Sequence, residues 1–322
     1  MTRFRLNAIC MLVRTRAVLA GVVPTLMVLA GIAQGGPQAA AQTPTVKQVA
    51  SDVYFFFDFN GSNAVFLVTD DGVLLIDTRT HPREGRDLLE RIRKVTDKPV
   101  KWVINSHFHG DHHMGNSVFK DLGATFVAQE ETARIMQRVQ PKEMARRVEG
   151  FRSRGYDPAD VKLVPDVTFD SKMTIRLGGR EVRLFYLGPG QQAGDTFVQF
   201  PHARLLFTPG AFAKHSMPNM LFTPSVDNWI KLLDQVAVMD VDAILPAHGD
   251  IATRADVKEL AAMLADEYAT VKDAVNRGVS LDQATTTLTF PQYKDWRNYA
   301  RLQGEIKALY ELIQTGRRSY LD

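Results

Sequence analysis

Apolar residues recur along this chain at two periods, and the period assigns the elements. In Arg86-Asp-Leu-Leu-Glu-Arg-Ile-Arg-Lys-Val95 they fall at helical spacing, and the same spacing predicts helices over 130–138, 142–153 and 226–239. The β-branched run Pro99-Val-Lys-Trp-Val-Ile-Asn105 predicts a buried strand. Runs at 181–187, 195–200 and 203–208, parted by Gly and Pro, predict a second set of antiparallel strands. From about 253 the texture turns helical. Thr253-x-x-Asp256 caps a segment with apolar Val257, Leu260, Leu264, Tyr268, Val271 and Val275 before a stop at Gly278. Ser280-x-x-Gln283 opens another helix, and Leu302, Ile306, Leu309, Tyr310 and Ile313 line the last. Such a tail packs on the core, covers a cleft or dimerises. The alternation by itself says α/β or α+β, with no internal repeat and no low-complexity linker between 45 and 250.

Composition changes that picture mainly at the N-terminus. The first 41 residues carry Arg3, Arg5, Arg14 and Arg16, no acid, an apolar stretch from Ala17 to Ile32 and a small-residue Ala39-Ala-Ala41. That is the layout of a secretory signal peptide, so the mature chain is expected in the periplasm or outside the cell. Without it, Lys plus Arg falls from 39 to 35 against 36 acids, a net charge of −1. A near-neutral mature chain gives no electrostatic reason to expect nucleic acid, and no membrane is expected to hold it. Cys10, the only cysteine, lies in the leader, leaving neither disulfide nor thiolate ligand. The full chain is 45% hydrophobic and 23% charged, enough for one large domain with a smaller addition. The expected organisation is a leader over 1–41, a main domain over 42–252 and a helical extension over 253–322.

The chemistry concentrates in Asn105-Ser-His-Phe-His-Gly-Asp-His-His-Met-Gly-Asn116. His107, His109, Asp111, His112 and His113 place five metal-competent side chains within seven positions, directly after the predicted strand. His107 and His109 are two apart and share a direction in extended backbone, and Gly110 lets the chain turn to present Asp111 and His112. Imidazole and carboxylate together suit a divalent cation such as zinc.

The order His-x-His-x-Asp-His resembles the signature of the metallo-β-lactamase-fold hydrolases. Val53-Tyr-Phe-Phe-Phe57, Asn63 to Thr69, the Asp70-Asp71-Gly72 turn and Val73-Leu-Leu-Ile-Asp77 resemble that family's opening hairpins, which end in a buried aspartate. Pro246-Ala-His-Gly249, after Ala243-Ile-Leu245, resembles its last ligand loop, with His248 as ligand. The resemblance covers roughly 50 to 250 and implies an α+β fold, the four-layer αββα sandwich, here with a C-terminal helical extension. Two positions depart from the pattern. Where the family's middle loop carries a histidine, Leu187-Gly-Pro-Gly-Gln-Gln-Ala-Gly-Asp-Thr196 has Gln191. Where many members carry a bridging aspartate, Leu205-Leu-Phe-Thr-Pro-Gly-Ala211 has Gly210.

The implied metal ligands are therefore His107, His109 and Gln191 at one site and Asp111, His112 and His248 at the other. A neutral amide oxygen is a poor zinc donor, so the first site is expected to be weak or empty and the second to hold one Zn2+ firmly, with an open position. The implied activity is zinc-dependent hydrolysis of an amide, ester or lactam in a small-molecule substrate by a metal-activated water, with Asp111 as the catalytic carboxylate. The alternative is a non-catalytic protein that binds ligand or metal on a degenerate version of the fold. A glyoxalase-like thioesterase would need the bridging carboxylate and a cytosolic address. Asp77 is expected to hydrogen-bond the ligand loop, and His113 to act beside the metal or face solvent. His215 could replace the missing carboxylate, Lys214 could hold an anion, His81 could line the cleft mouth, and His202 is expected at the surface. Met217 and Met220 are expected in the cleft lining or the core.

Overall fold

Strand sequences that are apolar on both faces can only be satisfied between two layers, and the chain builds both. The computed structural model describes residues 43–138, 149, 152 and 164–316. The expected leader and all but two positions of the helix expected over 142–153 lie outside them. The first sheet has seven strands in sequence order: β1 (Thr45–Gln48), β2 (Val53–Phe57), β3 (Ala64–Thr69), β4 (Gly72–Ile76), β5 (Val100–Asn105), β6 (Thr125–Gln129) and β7 (Val167–Phe169). It is antiparallel up to β4 and parallel thereafter. The second has five strands in the order β12-β11-β10-β9-β8: β8 (Lys172–Leu177), β9 (Arg180–Phe185), β10 (Phe197–Phe200), β11 (Leu205–Ala213) and β12 (Ala243–His248).

Alternation along each strand sorts the core. Val65, Leu67, Leu74 and Ile76 point at Leu184, Val198, Phe200 and Phe207 across the sandwich. Their neighbours Phe66, Val73 and Leu75 point the other way, onto Leu88, Leu89 and Ile92 of α1 (Pro82–Arg93) and Phe119 of α3 (Asn116–Lys120). The outer face of the second sheet is covered by α5 (Val226–Ala237) and α6 (Arg254–Asn276). The remaining helices are the one-turn α2 (Gly110–His113), α4 (130–138), α7 (Leu281–Thr287) and α8 (Leu302–Thr315). The result is the four-layer helix–sheet–sheet–helix sandwich.

Several boundaries moved for physical reasons. The first helix starts at Pro82, not 86, because His81 caps it through Nδ1, accepting the Arg83 N–H at 3.2 Å; its first turn is polar and so left no apolar period to read. That role takes His81 away from the cleft mouth. β11 runs on through Pro209 to Ala213, its register against β12 breaking between Thr208 and Ala213 where proline and glycine cannot keep a regular ladder. Both C-terminal capping boxes form, Thr253 with Asp256 and Ser280 with Gln283. The helices behind them bury Leu260, Leu264, Val271, Leu302, Ile306 and Leu309 in the same cluster as Trp229 and Phe212. No helix among the described residues is long and apolar enough to cross a membrane.

One carboxylate in this layer is costly. Glu267 on α6 is fully buried with both oxygens unpartnered among the described residues. Burial first, then the neighbouring Glu305 and Asp266, push its carboxyl up to about 8. The folded state therefore keeps a proton that the unfolded chain loses above about 4.5, so this group leaves stability intact below that pH and reduces it progressively up to about 8. Urea unfolding of Glu267→Gln between pH 5 and 8 should show the variant gaining on wild type as pH rises, by about 1–3 kcal/mol at the upper end; a constant difference would assign the carboxylate a partner.

Candidate metal centre

The ligand loop is aimed by one buried carboxylate. Asp77, at the end of β4, sits at φ 64°, a conformation rare for a residue with a Cβ. Its carboxylate accepts hydrogen bonds from the Ser106 N–H at 2.8 Å, the Ser106 hydroxyl at 2.7 Å and His112 Nδ1–H at 2.8 Å. The loop is also pressed against the β4 end: a Cβ on Gly115 would lie 2.0 Å from the Thr78 carbonyl oxygen, so only glycine lets the backbones approach. From the other sheet, His248 at the end of β12 is set by Nδ1–H donation to the Gly61 carbonyl at 3.1 Å. Asn63 fastens that loop by donating to the Pro246 and Gly249 carbonyls at 2.8 and 2.7 Å.

These constraints leave three donor atoms facing one another. His112 Nε2 lies 3.0 Å from His248 Nε2 and 3.2 Å from Asp111 Oδ2, and His248 Nε2 lies 3.1 Å from the same oxygen. Both Nδ1 atoms are committed as donors, so in the neutral imidazoles both Nε2 atoms carry lone pairs, aimed at each other and at a carboxylate. Such a set is repulsive until a positive charge enters it. Burial alone would lower the His112 pKa, yet Asp111 and Asp77 outweigh it and push it up to about 10. For Asp111, burial works upward but His112 and His248 hold the carboxyl well below its usual range. The field calls for a cation, a proton or a metal ion, and the N2O donor set with spacings near 3 Å fits a divalent metal bound at about 2.0–2.2 Å.

The second group lies beside it. Ser106 spends its hydroxyl proton on Asp77 and can only accept from His107 Nδ1–H, at 2.9 Å. That leaves His107 Nε2 as a buried lone pair without a partner among the described residues, and His109 Nε2 is likewise buried and unpartnered there. Burial, reinforced by His112 and His109, lowers His107 well below its ordinary pKa, and burial takes His109 to about 4. Both are neutral donors. Gln191 supplies the third side. In the orientation that satisfies its amide, its nitrogen donates to the Gly210 carbonyl at 3.0 Å and its oxygen accepts from the Asn219 N–H at 3.2 Å. A Cβ on Gly210 would fall 2.5 Å from the end of the Gln191 amide that faces it, 2.4 Å from Gln192 Nε2 and 3.3 Å from His107 Nε2. The two departures are thus one packing unit: the Gln191 amide fills the space a side chain at 210 would enter.

His107, His109, Asp111, Gln191, Gly210 and His248 all line one cavity of about 400 Å³. His113 does not: it is fully buried and donates from Nε2 to the Phe108 carbonyl at 3.1 Å, with burial lowering it to about 4, so it is a neutral brace rather than a solvent-facing group. His215 does not replace the missing carboxylate. It pairs with Glu259 at 2.9 Å on the exposed side of α6, and Lys214 pairs with Asp256 at 3.2 Å instead of holding an anion in the cavity. His202 is exposed, as expected, and bonds Asp52 at 2.9 Å. Met217 lines the cavity, and both it and Met220 are buried. Sequence reasoning missed the residues that come from afar: Asn63, Ser62, whose hydroxyl donates to the Asp111 carbonyl at 2.5 Å, and Arg297, Asn298 and Arg301, which line the cavity from beyond the second sheet.

The sequence profile described as the metallo-beta-lactamase superfamily matches residues 57–248. The chain is 21% identical over 263 residues to a linear primary-alkylsulfatase of Pseudomonas sp. (strain ATCC 19151), covering 69% of this chain and 49% of that protein. It is 27% identical over 174 residues to a metallo-beta-lactamase type 2 of Elizabethkingia meningoseptica, covering 51% and 61%. The chain therefore spans about half to three-fifths of the length of these relatives. In three dimensions it is similar to the stereoselective inverting sec-alkylsulfatase Pisa1 from Pseudomonas sp., with a TM-score of 0.70, 17% identity, and coverage of 83% of this chain and 50% of that one.

Asp77→Asn keeps the shape of this keystone but turns one acceptor into a donor, which faces either the Ser106 N–H at the Oδ1 position or both the Ser106 hydroxyl and His112 Nδ1–H at the Oδ2 position. Zinc affinity, measured by competition with a chromophoric chelator, should fall about 10- to 100-fold while the fold persists. An unchanged affinity in a folded variant would mean that His112 is oriented by something else.

Proposed function

The chain belongs to the metallo-β-lactamase superfamily, and on that footing we propose that it is a zinc-dependent hydrolase of an amide, ester or lactam bond, with one firmly held metal and a weakened second position. The observation that carries this reading is the convergence of Asp111 Oδ2, His112 Nε2 and His248 Nε2 within 3.0–3.2 Å, with both imidazoles tied at Nδ1. Bound there, zinc would supply an acidified water and polarisation of the scissile carbonyl. The residues do the rest. Asp111 borders the cavity and can take the proton of the attacking water on its carboxylate. Asp77 accepts from His112 Nδ1–H and keeps that imidazole in the one tautomer whose Nε2 is free. His107 and His109, both neutral, border the reacting volume and can accept a hydrogen bond or hold a second, loosely bound ion. Relatives of this chain are named for alkyl sulfate and β-lactam hydrolysis, so superfamily membership supports hydrolysis and leaves the bond class to the cavity.

A second reading is favoured by the Gln191–Gly210 unit: a fold that binds ligand or metal without turning it over. Elemental analysis after zinc loading and desalting separates the two at the first step. About one zinc per chain is expected, lost in His248→Ala and retained in His107→Ala, followed by turnover in an ester and lactam screen; one zinc with no turnover of any member would favour the binding protein. The Gln191–Gly210 unit has its own consequence. Gly210→Asp alone should destabilise by about 1–3 kcal/mol, because the new side chain meets the Gln191 amide. Gln191→His with Gly210→Asp should recover part of that loss and bind a second zinc. If the double variant is no better than Gly210→Asp and still holds one zinc, the two positions are not coupled.

A further inference from the structure

Part of the cavity wall is built by residues well outside the superfamily match, which ends at 248. Between α7 and α8 the chain makes two short 3-10 turns, Pro291–Tyr293 and Tyr299–Arg301, and brings Arg297, Asn298 and Arg301 to the cavity that holds the metal-competent side chains. The segment is clasped rather than draped. The Met217 N–H donates to the Arg297 carbonyl at 2.9 Å, the Arg297 N–H donates to the His215 carbonyl at 2.8 Å, and Asn298 Nδ2 donates to Ser216 Oγ at 3.0 Å. Asn298 takes φ 62° to make the corner, a conformation asparagine tolerates.

The guanidinium of Arg297 is fastened as well. It lies over the Phe59 ring at 4.7 Å from its centroid and donates to the Phe59 carbonyl at 2.6 Å, in the same loop whose Gly61 carbonyl orients His248. Arg301 has no hydrogen-bond or ion-pair partner for its side chain among the described residues, and Arg297 has no carboxylate within ion-pair distance there. Asp58, the acid that Arg297 senses, is already bonded to Arg79 at 2.5 Å. Partial burial first, and then the charge of Arg301, lower the Arg297 pKa, so the two cations repel each other. By contrast, Arg180 is paired with Asp52, Arg204 with Asp240 and Asp242, and Lys214 with Asp256. Arg297 is held in place, and the exposed Arg301 lines the same cavity beside it; two guanidinium groups without a carboxylate on one cavity wall are an arrangement that an oxyanion completes.

We propose that Arg297 and Arg301 form an anion subsite that holds a carboxylate, sulfonate or sulfate group carried by the substrate, away from the bond that reacts. Met217, Pro218, Leu260 and Trp229 line the same cavity and cover the apolar body of such a molecule. The substrate class is then an ester or amide with an apolar body and one oxyanion group. The word substrate rests on the hydrolase reading; the anion subsite does not, and the two are tested separately.

Hexane-1-sulfonate, which hydrolysis does not consume, is titrated calorimetrically into the zinc-loaded full chain, with hexan-1-ol as the neutral control. Arg301→Ala should weaken the sulfonate at least tenfold and leave hexanol within twofold, Arg301→Lys should lose less, and His248→Ala should leave the sulfonate within twofold. Sulfonate binding unchanged in Arg301→Ala, or lost in His248→Ala, overturns the subsite, the latter by placing the anion on the metal; equal loss for sulfonate and hexanol overturns it as a mere packing effect. In the kinetic arm, Arg301→Ala should raise KM for mono-4-nitrophenyl glutarate with kcat kept, and leave 4-nitrophenyl acetate unchanged. Absence of turnover of either ester by wild type counts against the hydrolase reading, while the binding arm still decides the subsite.

Discussion

A carboxylate that never meets water organises this molecule. Asp77 is fully buried, and an ion there is tolerable only because three donors, two from Ser106 and one from His112, replace its hydration. Those donors belong to the residues that follow β5, so the same bonds that solvate the charge also join the ends of two parallel strands and rotate His112 towards His248. The positive φ of Asp77 is the local strain this arrangement imposes, offset by the bonds it permits. Further out, Ser106 passes the constraint to His107, whose tautomer is fixed because the hydroxyl has no second proton to give. One buried anion thus sets the protonation pattern of both donor groups.

Much of this was legible in order along the chain. The run from His107 to His112 declares its chemistry because the ligands are close in sequence and follow a strand, and Asp77 could be placed because it ends a predictable hairpin strand. The four-layer sandwich was legible only through the family resemblance, since the alternation of elements by itself reaches no further than α/β or α+β. What stayed hidden depends on contacts across long separations. Asn63 holds Gly249 from 186 positions away, and Arg297 reaches Phe59 from 238 away; neither leaves a periodicity or a motif. His215, close in sequence to position 210, does not line the cavity. At φ 45° its backbone turns at the end of β11, and its ring pairs with α6 instead.

The departures at 191 and 210 illustrate a related limit. Read as letters, they are two independent losses of metal ligands. In space they are a substitution of one interaction for another: a neutral amide, bonded to the Gly210 carbonyl and the Asn219 N–H, takes the place of charged groups and their ion. A buried lone imidazole pair such as His107 and His109 is tolerable beside a neutral neighbour, because burial keeps both rings uncharged. The side of the cavity that lost its carboxylate therefore became polar but uncharged, while the Asp111 side kept its demand for a cation. On the proposed zinc-hydrolase reading, that exchange leaves an asymmetric centre with one strong position.

The C-terminal helices extend the argument from the metal to the ligand. Their apolar faces bury against α5 and β11, which explains their presence as packing, yet the connection between α7 and α8 also hands Arg297 and Arg301 to the cavity. The expected mature chain is almost neutral, so it would exert little long-range pull on an anion, and salt screens exposed charges beyond about 8 Å at physiological ionic strength. A local arginine pair can act only after arrival, by slowing departure and fixing orientation. Orientation is also what the metal face lacks on its own. On the proposed reading, a metal held by Asp111, His112 and His248 would activate whatever lies before it, and the neutral His107, His109 and Gln191 side offers no charge to choose among substrates. Selectivity must then come from charges outside the metal centre, and Arg297 and Arg301 are the cationic side chains that line this cavity.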